Sequence, residues 1–146
     1  MWEMIEMKLS TRSRYGLKAI VDIASQFSSP TCVKNIAARQ NIPENYLEQI
    51  IAILKKFGFV KSIRGAQGGY ILNCDPSITT VGDVLRKLEG SLYPVNCLES
   101  VKNCNDADCN NCFTKNVWAR IYDNISSAVD SITINDLVND YKKISQ

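Results

Sequence analysis

Apolar residues return at helical spacing in a series of stretches that together cover most of the chain. In "STRSRYGLKAIVDIASQF", Leu17, Ile20, Val21, Ala24 and Phe27 fall on one helical face. Ser10 or Thr11 can cap its start, and "FSSP" ends it. "VKNIAARQ" predicts a short helix with Val33, Ile36 and Ala37 inward, and "ENYLEQIIAILKKF" a second with Tyr46, Leu47, Ile50, Ile51 and Leu54 inward. Between them, Pro43 pushes Ile42 out of helical geometry and suits the first turn of the helix that follows. The pattern then changes period. Phe59–Ile63 and Tyr70–Leu72 are short runs of branched and aromatic residues, and the "RGAQGG" between them is a hairpin turn whose glycines tolerate positive φ. Two short helices across a tight turn, followed by a hairpin, make a winged helix-turn-helix.

Helical spacing resumes in "TTVGDVLRKLEG", where Thr80 can cap with Asp83 three residues on and Gly90 closes the end. "FTKNVWARIYDNISSAVDSI" places Val117, Ile121, Ile125, Ala128 and Ile132 along one stripe, with Trp118 beside it. One small domain does not cover a stripe of that length, which predicts packing against the same helix of a second copy. A closing helix, "INDLVNDYKK", offers Leu137, Val138 and Tyr141 for docking. The expected fold is mainly α, a winged helix-turn-helix DNA-binding domain plus a long dimerisation helix. Residues 1–6 are an N-terminal extension and 7–76 the DNA-binding domain; 77–146 hold a connector helix, a cysteine loop at 97–112 and the dimerisation helix.

Charge sharpens this picture. From Lys8 to Arg64 the chain carries ten Lys or Arg against three acids, and from Ala66 onward seven against ten. A basic first half and an acidic second half predict a polyanionic partner, double-stranded DNA, for the first alone. On the second helix of the motif, Asn45, Glu48, Gln49, Ala52 and Lys56 face outward, and those nearest its N-terminus meet base edges. Gln49 can pair with adenine and Glu48 can accept from cytosine N4. The predicted DNA contacts are therefore Asn45, Tyr46, Glu48, Gln49 and Lys56, with Arg64 and Gln67 on the hairpin and Arg12 and Arg14 on the first helix. Operator recognition by such domains uses two-fold symmetry, which again points to a homodimer. No apolar run approaches a membrane span, and "MWEMIEMKLS" has no apolar core of a secretory signal, so a cytoplasmic location is expected.

Four of the six cysteines, Cys97, Cys104, Cys109 and Cys112, stand within sixteen positions, and the chain has no histidine. The asparagines and aspartates between them cannot form a core, so these thiols are not there for packing. A reducing compartment disfavours a disulfide knot. Cys112 is placed where the long helix begins, where the helix dipole favours a thiolate and hence metal binding. The pair Cys109 and Cys112 suits zinc, whereas the irregular spacing of the whole set suits an iron–sulfur cluster, and spacing alone leaves both open. A reversible Cys109–Cys112 disulfide acting as a thiol switch is a third reading. Cys32 and Cys74 lie far off, near predicted element edges, and are expected to be small buried hydrophobes. Without histidine no Ser-His-Asp or Cys-His relay is available, so an enzyme is not expected.

The blocks "MKLSTRSRYGLKAIVDIA", "YLEQIIAILKKFGFVKSIRGAQGGYIL" and "ITTVGDVLRKLEG", with the cysteine loop followed by "VW", together resemble the Rrf-two transcription regulators, and among them the IscR-like iron–sulfur cluster regulators. The resemblance runs from about Met7 to Tyr141. It implies a dimeric winged-helix repressor or activator with a 2Fe–2S or 4Fe–4S cluster, and it places Cys97, Cys104 and Cys112 on the family's cysteine ligands. Lys115 stands where IscR-like members have a histidine ligand. Cys109 is the candidate substitute, with Asp106, Asp108 or a group from a partner subunit as alternatives. CymR-like members lack these cysteines, so that branch fits poorly.

Overall fold

The computed structural model of the chain describes residues 9–94 and 113–145. Six helices and one hairpin follow in order: α1 (Thr11–Ser25), α2 (Val33–Gln40), α3 (Glu44–Lys56), β1 (Val60–Ile63), β2 (Gly69–Leu72), α4 (Val81–Glu89), α5 (Lys115–Asp130) and α6 (Ile134–Ile144). Ser10 caps α1, its side chain accepting from the Ser13 N–H. The chain leaves α1 through Phe27 and Ser28, both at positive φ (50° and 68°). That exit turns Phe27 outward: it is 72% exposed rather than part of the inward face, with the Lys142 ammonium 4.0 Å from its ring centre. Asn41, left-handed at φ 54°, ends α2, and Pro43 leads into α3. The hairpin is antiparallel, pairing Val60 with Leu72 and Ile63 with Gly69.

One apolar core joins the two halves of the sequence. Ile20, Ile23, Ile36, Leu47, Ile50, Ile51 and Leu54 pack with Val84 and Leu88 of α4 and with Ile134 and Val138 of α6. Full burial of each such side chain stabilises the fold by about 1.5–3 kcal/mol relative to exposure. Helix α1 sits at the centre, against α2, α3, α4 and α6. Gly16 allows α4 to come this near, since a Cβ there would stand 2.3 Å from a methyl of Leu88. A smaller cluster of Val81, Leu85 and Leu92 is covered by Leu17, Tyr122, Val129 and Leu137.

The starts of α4 and α6 are tied side by side. The Val81 N–H donates to the Ile132 carbonyl (2.8 Å) and the Ile134 N–H to that of Thr79 (2.9 Å). Each helix opens with a capping box, Thr80 with Asp83 and Thr133 with Asp136. Helix α5, by contrast, has no fully buried residue. Two further expectations need correcting. Ile132 lies beyond the end of α5, where its carbonyl serves α4. Cys32 is exposed at the N-cap position of α2, not buried, because Thr31 takes the inward position beside Tyr70 of β2 and the extended chain turns the next side chain outward. Cys74 is half-buried, and that burial pushes its thiol pKa up.

Candidate nucleic-acid interface

Helix α3 presents two faces. Leu47, Ile50, Ile51 and Leu54 are buried, while Asn45, Glu48, Gln49, Ala52 and Lys56 are exposed, as the spacing predicts. Glu48 and Gln49 stand together in the second turn, about one turn along the helix from Asn45. Tyr46 is half-buried, its ring edge-on to that of Tyr15 at 5.8 Å and 76°. The contact orients the start of α3 against α1. Lys56 is not part of this group. It lies eleven residues from Asn45, roughly 16 Å along the axis, with its ammonium over the Phe57 ring and Lys87 over the same ring.

The hairpin carries Arg64 and Gln67, both exposed, on a turn closed by the Gly68 N–H donating to the Gly65 carbonyl at 3.0 Å. Its second strand is fixed to the α1–α2 connection. Thr31 and Tyr70 exchange backbone hydrogen bonds of 3.1 and 2.8 Å. Gly69 makes this approach possible: its φ is 149°, and a Cβ would stand 2.5 Å from the Thr31 carbonyl.

Beneath the hairpin is a polar network that periodicity does not single out. The Asp22 side chain is fully buried in the inward face of α1. Arg39 donates to both its oxygens (Nε to Oδ2, 3.0 Å; Nη2 to Oδ1, 2.6 Å) and from Nη2 also to Thr31 Oγ1 (2.7 Å). The bond to Asp22, above all, raises the Arg39 pKa. Gln40 bridges Asp22 Oδ2 (2.9 Å) and the Tyr141 hydroxyl (3.1 Å) of α6. Asp22 and Arg39 thus neutralise each other, and the net positive charge of this half rests on the other basic residues. The one signal in the sequence was an acid in the middle of "AIVDIA".

Arg12 and Arg14 are exposed on the first turn of α1. That turn is held by Glu89, the last residue of α4, a partner the sequence did not suggest. Glu89 Oε1 accepts from the Ser10 N–H (2.7 Å), Ser10 Oγ (2.6 Å) and Ser13 Oγ (2.5 Å). Burial pushes the Glu89 pKa up, but the bonds from Ser10 and Ser13 and the charge of Arg12 outweigh it, so the carboxyl titrates below its ordinary value.

Cys97, Cys104, Cys109 and Cys112 lie outside the described residues. Among the described residues no group of three or more His, Cys, Asp or Glu could hold a metal ion. The residues flanking the cysteine segment tie α4 to α5. Tyr93 stacks on Tyr122 of α5 (4.2 Å between ring centres, 18° between planes), and Arg86 of α4 makes a two-pronged pair with Asp130 of α5 at 2.7 and 2.9 Å. Lys115 is the first residue of α5, which begins there and not at Cys112.

A family model named Rrf2, described as an iron-dependent transcriptional regulator, matches residues 9–140. The chain belongs to the Rrf2 family. Among Rrf2 relatives, the transcriptional regulator CymR of Bacillus subtilis is 40% identical over 134 residues, 91% of each chain. The solved structure of CymR, the global cysteine regulator of B. subtilis, matches with a TM-score of 0.74 over 91% of this chain and 97% of that one. IscR of T. potens matches with a TM-score of 0.75 and 42% identity over 97% of this chain and 93% of that one. Both branches of the Rrf2 family are thus represented at similar likeness. This Rrf2 member is a DNA-binding transcriptional regulator with a winged-helix fold, and not an enzyme. No helix among its described residues is long and apolar enough to cross a membrane.

Proposed function

We propose that this Rrf2 protein is a cytoplasmic, homodimeric regulator whose affinity for its operator depends on an iron–sulfur cluster held by Cys97, Cys104, Cys109 and Cys112. The observation that carries the reading is the concentration of four thiols, without a histidine, in the one segment that joins α4 to α5. The donor chemistry fits the group. Four thiolates complete an all-sulfur ligand set, and Lys115, whose ammonium has no lone pair to give, leaves Cys109 to replace a fourth nitrogen ligand. A bound cluster supplies sensitivity to oxygen, nitric oxide or iron supply. The described residues supply the rest. Asn45, Glu48 and Gln49 read base edges; Arg64, Gln67, Arg12 and Arg14 hold the phosphate backbone; Tyr46 contributes its hydroxyl edge. Val117, Trp118, Ile121, Ile125 and Ala128 form the dimer seam, and α4 carries the state of the cysteine segment to the DNA-binding domain.

The test is an absorption spectrum of protein purified without oxygen, with iron, sulfide and zinc assayed on the same sample. Visible bands with matched iron and sulfide, bleached by air, support the proposal. Cys104→Ala should lose the bands and change operator affinity while leaving the fold intact. A colourless protein that carries zinc, or gains no colour on reconstitution, would favour a zinc-stabilised or thiol-switched regulator instead.

A further inference from the structure

We infer that Glu89 is a positioning residue for DNA binding: it sets how the first turn of α1 meets the phosphate backbone and makes that turn follow the cysteine segment. The inference rests on the function proposed above and adds the residue through which the segment acts. One carboxylate oxygen gathers three donors of that turn, the Ser10 N–H and the Ser10 and Ser13 hydroxyls, all within 2.7 Å. The turn is held from the other side as well, because Arg12 Nη1 donates to the Leu88 carbonyl at 3.5 Å. Behind both contacts Gly16 and Leu88 are in close apposition. The last turn of α4 and the first turn of α1 therefore move as one body.

Both ends of that body lead to function. On one side Arg12 and Arg14 stand exposed within the bonded turn. On the other, α4 ends at Glu89, and only the stretch from Gly90 to Asn96 separates it from Cys97. A shift at the head of the cysteine segment reaches the arginines through one carboxylate. The arrangement also places a protein anion on the Ser10 N–H and on the Ser10 and Ser13 hydroxyls at the start of α1. A DNA phosphate approaching α1 meets that carboxylate at the helix end and is held by the guanidinium groups of Arg12 and Arg14 instead.

The experiment uses the full chain, prepared without oxygen, and a duplex selected by the wild-type protein from a random-sequence library. Affinity is measured across a range of salt for wild type, Glu89→Gln, Cys104→Ala and the double variant. Loss of one oriented phosphate contact should make Glu89→Gln bind roughly tenfold more weakly and reduce the slope of log affinity against log salt by about one. In the Glu89→Gln background the effect of Cys104→Ala should disappear, a non-additivity that a purely stabilising contact would not produce. An unchanged salt slope, or a Cys104→Ala effect of full size in both backgrounds, overturns the inference. No effect of Cys104→Ala in the wild-type background would instead refute the proposed sensing, and the coupling role with it, while the salt slope still decides the positioning role. Should circular dichroism show Glu89→Gln to be unfolded, Ser13→Ala removes one of the same three bonds from the α1 side and must give the same changes.

Discussion

Asp22 shows how much a single residue can organise. Its carboxylate lies fully buried on α1 and is answered by Arg39 and Gln40 of α2, with Thr31 and Tyr141 one bond further on. Removing Arg39 leaves a buried carboxylate with one neutral donor. Arg39→Ala should therefore cost about 2–3 kcal/mol, discounted from a fully buried pair because water can enter on the exposed side of the guanidinium. Urea denaturation would measure the loss. Lys34→Ala, an exposed change on the same helix, should stay within about 0.5 kcal/mol, and equal losses for the two would show that the network contributes no stability. The partners of Asp22 and Glu89 were not legible in the sequence, for the same physical reason. Periodicity assigns a residue to a face of its own helix, whereas the partners of Asp22 and Glu89 stand on other elements, 17 and 76 or more positions away.

Elements were far more legible than their partners. The inward and outward faces of α3, the turn at Pro43, the strand pair and the Thr80–Asp83 capping box all follow from spacing and local hydrogen-bonding chemistry, and all are present. Element ends were read less well. Phe27 and Ile132 continue the apolar period of their helices in sequence, but the backbone has left the helix before each of them. For Ile132 a signal existed: Thr133 and Asp136 form a second capping box, which requires a new helix to start there. At this scale the wing offers a direct test. Gly69→Ala introduces a Cβ against the Thr31 carbonyl at a φ that side chains rarely adopt, a local strain of about 1–3 kcal/mol. Helix content by circular dichroism should hold, while faster exchange of the Tyr70 amide and weaker DNA binding report a displaced hairpin. Protection of Tyr70 at the wild-type level would mean that the wing does not depend on this contact.

For the whole molecule, α5 is the element whose burial one chain leaves incomplete. Tyr122 and Val129 face α4, but Val117 is 52% exposed, and Ile121 and Ala128 lie with it roughly 100–140° around the helix from Tyr122. Ile121→Asp should convert the proposed dimer into a folded monomer, seen by light scattering on a sizing column together with an unchanged far-ultraviolet spectrum. A variant that remains dimeric would place the interface elsewhere. The ligand role proposed for Cys97, Cys104, Cys109 and Cys112 rests on the chemistry of four close thiols and not on packing.

The backbone bonds between Thr79–Val81 and Ile132–Ile134 have a further consequence, for how such a chain can change over time. They bring the start of α4 beside the start of α6, so that the stretch of chain between them begins and ends at one point, with α4 itself packed into the core. Closing so large a loop costs only slightly more when it is lengthened, since the entropy grows with the logarithm of its length. Insertions and deletions between α4 and α5 can accumulate without moving α6 or the core it completes. On the proposed function, one DNA-reading body that keeps α4 can be refitted for a different signal by rewriting only the stretch between α4 and α5.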